Sequence, residues 1–349
     1  MEHPLLQSYG PLEGWHILLA IGVISIGFFT YQVQKATRLV MLGSPDSRFD
    51  SWSVRIREFI SGWLFQKKVL RDKVAGIMHV LMFWGFLMLS TDMFDLATAN
   101  AFSEKVLPEI LVGPWNGMVE LGYFMALIGC VSALTRRVVF TPEKLKGKSQ
   151  LEGNAILLLI FTITTTSFMV ESAESPSAFW EPIGYWFSER GLSEQTVILS
   201  YWAHMLAISV FLFLIPLSKH MHLVMAVPNV FFHDAGPMAR MRPLALGDDG
   251  KAVPLEDLDI DSFGVSTYNQ YSWRQLIDGW SCTSCARCQD VCPAYASGKG
   301  LNPMQVIHDV RNYANEHAPI LLSGNQPDET ILERITEEAV WACTTCNAC

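Results

Sequence analysis

Seven of the eight cysteines in the chain lie in two short runs near its C-terminal end. The first run, SCTSCARCQDVCP, has the spacing C-x2-C-x2-C-x3-C and is followed by Pro293. Its cysteines are Cys282, Cys285, Cys288 and Cys292. Thiolates at this spacing bind [4Fe-4S] clusters. A structural zinc site is the alternative, because C-x2-C pairs also bind Zn²⁺, but four cysteines within eleven residues before a proline favour the cluster.

The second run, WACTTCNAC, contains Cys343, Cys346 and Cys349 in the spacing C-x2-C-x2-C. Where two such runs occur together, the fourth cysteine of each ligates the cluster of the other. Cys292 is therefore expected to complete the site of the second run, whereas the first three cysteines of the first run need a cysteine that this sequence lacks. We expect the 349 residues to be a fragment of a longer protein, with one robust cluster and one labile centre.

The composition indicates a membrane protein. Half of the 349 residues are hydrophobic, only 17% are charged and the mean hydropathy is +0.24. Five segments are long and apolar enough to span a membrane as helices: about 14–35, 74–96, 116–135, 154–170 and 196–227. The loop segment FDSWSVRIREFISGWLF mixes aromatic and basic residues, which predicts either a helix in the membrane interface or an ordinary packing helix.

The distribution of lysine and arginine predicts the orientation of these spans. Residues 36–73 hold eight and residues 136–152 hold five, against none in 1–13, one in 97–115 and one in 171–195. The positive-inside rule therefore places the N-terminus outside and the C-terminal part in the cytoplasm. The cysteine runs would then lie in a reducing compartment, where soft thiolates bind metal and do not form disulfides.

The part of the chain after the spans is predicted to be a linker followed by a helical module. Residues 228–270 contain several prolines, glycines and aspartates without a clear period. Residues 236–349 carry 8 basic and 15 acidic side chains, so a nucleic-acid partner has no support and none is expected. In the segment LNPMQVIHDVRNYANEH, Asn302 is a predicted helix N-cap with Pro303 at the first helical position. A second helix is predicted in PDETILERITEEAVW, so that residues 271–349 form an α-helical two-cluster ferredoxin domain, incomplete at its C-terminus.

Histidines inside the spans are the other residues that could carry chemistry. His79 and His222 lie at similar depths from the cytoplasmic ends of the second and fifth spans, and ionisable groups at membrane depth indicate function. Two neutral imidazoles from facing helices can ligate a b-type haem axially. The alternative is two histidines that are hydrogen-bonded within the bundle.

His204 extends this pattern. It precedes His222 by eighteen residues, which is five helical turns, so on one continuous helix both would project from the same face about 27 Å apart. A second haem or a quinone pocket is therefore expected near the outer surface, with His16 of the first span as a possible partner of His204.

The fifth span, HMLAISVFLFLIPLSKHMHLVMAVP, resembles that of the membrane cytochrome b (gamma) subunit of respiratory nitrate reductase. The resemblance implies that His222 and His79 ligate the haem nearer the cytoplasm and that His204 ligates the outer haem. The family's other outer ligand would fall near Leu89, which cannot ligate iron, so that His16 is the candidate replacement.

The segment DGWSCTSCARCQDVCPAYASGKGLNP resembles the iron-sulfur module of heterodisulfide reductases and of the related subunit of anaerobic glycerol-3-phosphate dehydrogenase. The two parts together are similar to membrane-bound oxidoreductases that link electron-transfer flavoprotein to menaquinone. The fold class implied is all-α: a five-helix transmembrane cytochrome b bundle (residues 1–227), a cytoplasmic linker and the ferredoxin domain, in a bacterial or archaeal cytoplasmic membrane.

These observations predict a membrane oxidoreductase that passes electrons between a cytoplasmic partner and menaquinone through two [4Fe-4S] clusters and haem b. The alternative is a cytochrome b and iron-sulfur anchor subunit of a larger complex, without quinone chemistry of its own. A transporter with a regulatory zinc module is a third possibility, disfavoured by the absence of paired charges within the predicted spans.

Overall fold

The structure is a computed structural model that describes residues 4–102, 108–140, 148–173, 175–234, 253–257 and 265–346. Of residues 92–102, 109, 148, 149 and 255 it describes the backbone alone. The chain divides into two compact units. The first comprises Met1–Thr30 and Phe65–Ser218, and the second comprises Tyr31–Leu64 and Lys219–Cys349.

Helices make up most of the described residues. The only strands among them are β1 (Ser8–Tyr9) and β2 (Leu12–Glu13), which pair antiparallel. The helices in chain order are α1 (Gly14–Val40), α2 (Trp52–Phe59), α3 (Lys73–Phe102), α4 (Glu109–Val138), α5 (Lys148–Glu171), α6 (Pro182–Glu189), α7 (Glu194–Leu217), α8 (His222–Phe231), α9 (Trp273–Ser281), α10 (Arg287–Val291), α11 (Pro293–Ala296), α12 (Pro303–Glu316), α13 (Ala318–Leu322), α14 (Ile331–Ile335) and α15 (Glu337–Trp341). Short 3₁₀ turns occur at Val69–Arg71, Lys219–Met221, Leu255–Asp257 and Tyr268–Gln270, and Ile60–Leu64 is π-helical.

Five of the described helices are long and apolar enough to cross a membrane. The segments are Gly14–Val40, Lys73–Thr91, Ile110–Val138, Gln150–Glu171 and Glu194–Leu217. No more than 39% of the most apolar window of any of them is buried within the protein, so the remaining apolar surface faces outward. Such surface is the expected exterior of a helical membrane bundle, and it supports the predicted membrane location.

Close packing of α3 on α4 depends on small residues. A Cβ at Gly85 would lie 2.6 Å from the carbonyl oxygen of Gly122 and 2.7 Å from the amide nitrogen of Ala126. A Cβ at Gly129 would lie 2.8 Å from the Met82 side chain. The backbones of the two helices therefore approach within a distance that larger side chains would prevent, which is the usual way in which membrane helices associate.

The fifth span differs from its prediction. Residues 196–227 were expected to form one helix, but α7 ends at Leu217, Ser218 is extended (φ −124°, ψ 179°) and α8 begins at His222 after a 3₁₀ turn. Pro216 weakens the helix just before the break, because it has no N–H to donate to the preceding turn and its ring crowds the carbonyl of that turn. His204 and His222 consequently do not share one continuous helix.

The second unit has an apolar core built from several short helices. Residues with almost no exposed surface come from the end of α1 (Leu39), from α9 (Leu276), from α12 (Ala314) and from α14 (Ile331). Tyr268 is also buried and its hydroxyl donates to the carbonyl of Leu39 at 3.2 Å. The sequence predicts domain boundaries at residues 227 and 271. The core of the second unit contains residues from both sides of the predicted linker between them.

The predicted helix cap at Asn302 is confirmed. Its side chain accepts hydrogen bonds from the amides of Met304 and Gln305, and Pro303 is the first residue of α12. The helix predicted in PDETILERITEEAVW is instead interrupted at Thr336, which has φ 67°. The Thr336 hydroxyl accepts from the amide of Ala339 and so caps α15, which is the competing role that threonine often takes.

The segment FDSWSVRIREFISGWLF was predicted to be either an interfacial helix or a packing helix. It forms α2 and the π-helical turn Ile60–Leu64, and it has features of both alternatives. Arg55 is 1% exposed, and its guanidinium donates to the carbonyl of Asp50 at 2.7 Å and to that of His233, beyond α8, at 2.7 Å. On the other side the apolar side chains of Trp52, Ile56 and Ile60 are exposed. One face therefore packs within the unit, and an apolar face is left for a lipid surface or another contact.

Candidate functional site

The first cysteine run lies between the helices of the second unit. Cys282 follows α9 directly, Cys288 lies in α10, and Cys292 precedes α11 and accepts the amide N–H of Tyr295 on its sulfur at 3.5 Å. α9 is anchored by a capping box, in which Ser272 and Gln275 satisfy each other's backbone amides. The local sequence therefore fixes the helix that ends at the first cysteine.

The second run follows α15 and repeats the backbone turn of the first. Ser284 and Thr345 stand two residues after the first cysteine of their runs, and their φ angles are 54° and 51°. In each run this residue's amide donates to the sulfur of that first cysteine, from Ser284 to Cys282 and, at 3.4 Å, from Thr345 to Cys343. Non-glycine residues adopt this conformation rarely, so its recurrence indicates a common purpose. Cys349 lies outside the described residues.

Burial distinguishes Cys282 and Cys288 of the first run from the described cysteines of the second run, whereas Cys285 of the first run is exposed. Cys282 and Cys288 are partly buried, and burial raises the pKa of both thiols above its usual value, whereas Cys343 and Cys346 are exposed. None of the cysteines in the described part of the chain forms a disulfide. Unbridged sulfurs that accept backbone N–H groups are what thiolate ligands of an iron-sulfur cluster require, so the residues present fit that group.

A site for a single metal ion is not formed among the described residues, where no three His, Cys, Asp or Glu side chains are grouped to hold one ion. The thiolates of a [4Fe-4S] cluster bind four different irons and therefore stand further apart than the ligands of one zinc ion.

His204 is oriented by α5. Its Nδ1 lies 3.1 Å from the carbonyl oxygen of Ile163, 3.1 Å from the Thr166 hydroxyl and 3.3 Å from the Ser167 hydroxyl. Both hydroxyls donate to backbone carbonyls of Thr162 and Ile163, so Nδ1 must be the donor toward this group. In the neutral ring Nε2 then keeps its lone pair, which is the state that an iron ligand needs.

The ring of His222 is oriented in the same way as that of His204, but by a different hydrogen-bond partner. Its Nδ1 donates to the carbonyl of Lys219 at 2.8 Å, which leaves the Nε2 lone pair available as a ligand. His79 is partly buried in α3. His79 belongs to the first unit and His222 to the second.

His16 is oriented the other way. It is exposed, its ring stacks on that of Trp15, and its Nδ1 accepts the backbone N–H of Glu13 at 3.2 Å. In the neutral ring the proton therefore lies on Nε2. As it stands, His16 fits a ligand role less well than His204 does.

Two polar residues that the sequence analysis overlooked occupy buried positions. Glu120 lies in α4, is 3% exposed, and accepts the amides of Ile183 and Gly184 at 2.7 Å each, so that it anchors the start of α6. An ionisable residue inside the apolar segment NGMVELGYF could have drawn attention to it. The second residue is His308 in α12, whose Nε2 lies 3.5 Å from the sulfur of Cys282. Nothing in the spacing of the sequence indicates that contact.

Comparison with protein families places the cysteine runs in a known class. Residues 274–349 match the family described as the 4Fe-4S dicluster domain. The match supports the predicted clusters, in a part of the chain where the described elements are helical. The assignment of individual cysteines to each cluster stays a prediction.

Comparison with curated proteins extends over the rest of the chain. It is 27% identical to the EtfAB:quinone oxidoreductase of Syntrophomonas wolfei, over 99% of this chain and 55% of that protein. It is 26% identical to the probable iron-sulfur-binding oxidoreductase FadF of Bacillus subtilis, over 95% of this chain and 52% of that protein. A probable membrane-anchored ferredoxin of Chromohalobacter salexigens is 32% identical over 30% of this chain and 18% of that protein.

The chain spans about half the length of the first two relatives. No solved structure matches the chain. The family match supports the predicted [4Fe-4S] clusters, and the five apolar helices together with the similarity to a membrane-anchored ferredoxin support the predicted membrane location. None of these relatives is named for a haem, so the cytochrome b part of the prediction has no support from them.

Proposed function

We propose that the chain is the membrane and ferredoxin part of an oxidoreductase that passes electrons between a cytoplasmic redox partner and menaquinone. The observation that carries this proposal is the pair of cysteine runs, which share one backbone turn and match a dicluster domain, in a chain with five apolar helices. The relative named EtfAB:quinone oxidoreductase supports an electron-transfer flavoprotein as the partner and a quinone as the membrane substrate.

The cysteines hold the clusters in this proposal. Cys343, Cys346 and Cys349 together with Cys292 bind one [4Fe-4S] cluster, and Cys282, Cys285 and Cys288 bind the other. When bound, clusters and haem each accept and release single electrons. The chain's own contribution is to hold the sulfurs in place, to donate N–H groups to them and to limit access of water, all of which set the reduction potential.

The histidines hold haem b in this proposal. His79 and His222 are the axial ligands nearer the cytoplasm, and His204 either ligates a second haem or belongs to the quinone site, with His16 as its possible partner. The Nδ1 hydrogen bonds of His204 and His222 support a ligand role for their Nε2 atoms. The proposed arrangement has the N-terminus outside, residues 1–227 in the membrane and residues 271–349 in the cytoplasm, joined by residues 228–270.

The experiment that tests this function is metal and haem analysis of the purified protein, followed by substitution of the ligands. His79→Ala and His222→Ala should each abolish the low-spin haem spectrum, because loss of one of two axial ligands leaves the iron five-coordinate. His220→Ala is the matched control, since His220 precedes His222 by two residues and is not expected to ligate iron. Unchanged low-spin haem in both ligand variants would refute the assignment, and zinc without iron would refute the whole proposal.

The number of haems decides the role of His204. A pyridine haemochrome assay should give two haems per chain if His204 is a ligand, with one lost in His204→Ala. One haem in the parent protein would instead assign His204 to the quinone site.

The similarity to a membrane-anchored ferredoxin favours a second candidate function, an anchor subunit whose clusters serve a separate catalytic partner. Addition of a reduced menaquinone analogue to the isolated protein separates the two. Reduction of the haem supports the oxidoreductase, whereas an anchor without a quinone site would leave the haem oxidised.

A further inference from the structure

His308 is placed against the first cysteine run by helix packing. It lies in α12, which packs on α9 and α10, the helices on either side of the run. Its Nε2 is 3.5 Å from the sulfur of Cys282 and 3.2 Å from the hydroxyl oxygen of Ser284. The ring is partly buried, so the contact is shielded from bulk water on one side.

The chemistry of these three groups favours a proton on Nε2. A cysteine that ligates iron is a thiolate, and a thiolate sulfur can only accept hydrogen bonds. The Ser284 hydroxyl can accept as well as donate, so an Nε2–H group can be shared between its oxygen and the sulfur. With the opposite tautomer Nε2 would present a lone pair to the sulfur, which is repulsive.

A positive charge lies on the same side of the run. Arg311 stands one helical turn after His308, and its guanidinium favours the thiolate form of Cys282 electrostatically. Arg311 also packs near Gly279 of α9, where a Cβ would lie 3.1 Å from the Arg311 side chain. One face of α12 therefore presents both a hydrogen-bond donor and a charge to the first cysteine of the run.

We propose that His308 donates an Nε2–H hydrogen bond to the sulfur of Cys282 and thereby raises the reduction potential of the cluster on the first run. His308 is a positioning and tuning residue in this proposal, since it acts on the cluster through Cys282. The physical reason is that a reduced cluster carries one more negative charge, so a donor at its sulfur stabilises the reduced form more than the oxidised form. The inference rests on the proposed function, because it requires a cluster at the first run.

The second run offers an internal reference. The sulfur of Cys343 accepts the backbone N–H of Thr345, just as that of Cys282 accepts the N–H of Ser284, but Cys343 is exposed. A change at His308 should therefore alter the first cluster and leave the second unchanged.

The test is a redox titration of both clusters, monitored by EPR, in the full-length membrane protein. Each variant is compared with the parent at the parent's midpoint potential. In His308→Leu the ratio of reduced to oxidised first cluster should fall about threefold to tenfold. A tenfold change corresponds to about 59 mV for a one-electron couple. His308→Gln places an amide N–H near the position of Nε2 and should restore most of the ratio. His308→Asn places its amide nearer Nδ1 and should not.

The outcomes separate this inference from the proposed function. Equal potentials in the parent and in His308→Leu, or a shift of both clusters together, would overturn the role of His308 while leaving the clusters established. If His308→Leu loses the first cluster, the Gln and Asn variants decide, since equal potentials in these two would overturn the inference. A parent protein without iron would refute the proposed function itself. His317→Gln, at the residue that directly follows α12, is the matched control and should change neither potential.

Discussion

The two cysteine runs share a spacing and a backbone turn, but the helices that precede them differ in how many of their residues are buried. The first follows α9, four of whose nine residues are buried: Leu276, Ile277, Gly279 and Trp280. The second follows α15, a five-residue helix with one buried residue, Ala339, and it begins two residues after Trp341, which is 79% exposed. Identical ligand chemistry thus follows, in one run, a helix that contributes four buried residues and, in the other, a helix that contributes one.

The difference shows which properties follow from spacing and which follow from packing. Spacing determines the kind of metal group that the sulfurs can bind, because it fixes how the chain wraps around it. Packing determines which side chains reach those sulfurs and how much water does, and these determine potential and reactivity. The first run has His308 and Arg311 of α12 beside it, whereas Cys343 and Cys346 of the second are exposed. We therefore expect the two clusters to differ in potential and the thiols to differ in reactivity.

The largest predicted effect is loss of one cluster in Cys292→Ser. Cys292 belongs to the first run by sequence, but the cross-ligation rule assigns it to the cluster of Cys343, Cys346 and Cys349. The substitution should therefore damage the cluster of the second run and spare that of the first, as judged by EPR and by iron content. Cys130→Ala is a suitable control, because Cys130 belongs to neither run and its thiol donates to the carbonyl of Leu157 within the first unit at 2.9 Å.

Loss of the first cluster in Cys292→Ser would change the assignment of ligands to the two runs. If Cys292→Ser abolishes the signal of the first cluster, each run keeps its own cysteines, and the fourth ligand of the second run must be sought elsewhere.

A smaller effect is expected in the reactivity of the thiols after removal of iron. Burial raises the pKa of Cys282 and of Cys288, so their reactive thiolate forms only at higher pH, whereas Cys343 and Cys346 are exposed. Iodoacetamide should label the second run before Cys282 and Cys288 at pH 8. Labelling of those two should still increase with pH, by about tenfold per unit while the thiol form predominates.

Mass spectrometry of peptides after timed labelling measures these rates. Buried Cys130 serves as an internal control that should remain unlabelled while the fold is intact. Labelling of Cys282 as fast as that of Cys343, with Cys130 still protected, would show that the structural difference between the runs has no effect on reactivity.

Features of this fold that depend on local chemistry could be predicted from the sequence. The apolar segments predict the five long helices, and the sequence Asn302–Pro303 predicts the start of α12, because cap and first-turn preferences act over a few residues. The cysteine spacing likewise predicts the dicluster domain that the family comparison supports.

Features that depend on tertiary contacts could not be predicted in the same way. A proline such as Pro216 bends many helices without ending them, and only the surrounding structure decides that α7 stops at Leu217. Thr336 is compatible with a helix interior, yet it caps α15 here. The contact of His308 with Cys282 joins residues 26 positions apart, and no periodicity in the sequence encodes it.

The smallest predicted effect concerns the ion pairs that hold α14 near the second run. Arg334 of α14 pairs with Glu329 at 2.9 Å and with Glu316 of α12 at 2.5 Å, and His317 lies 2.8 Å from Glu329. Hydrogen bonds from Arg334 and His317 lower the pKa of Glu329 from 4.5 to about 2. Exposed ion pairs contribute little to stability, so Arg334→Met should cause only a small loss of hydrogen-exchange protection in residues 329–341.

The pH dependence of that loss provides the sharper measurement. A carboxylate with a lowered pKa contributes stability that is fully present above its ordinary value of 4.5 and is lost as the pH falls toward about 2. The ratio of exchange rates in Arg334→Met and in the parent should therefore be constant above pH 5 and decrease toward one between about pH 4.5 and 2. In Glu329→Gln the protection should be reduced at neutral pH, and its further fall toward pH 2 should be smaller than in the parent, because only the Glu316 carboxylate is left to pair with Arg334. A ratio that stays constant down to pH 2 would mean that these pairs do not stabilise α14, and that the core contacts of Ile331 and Ile335 hold this helix in place without them.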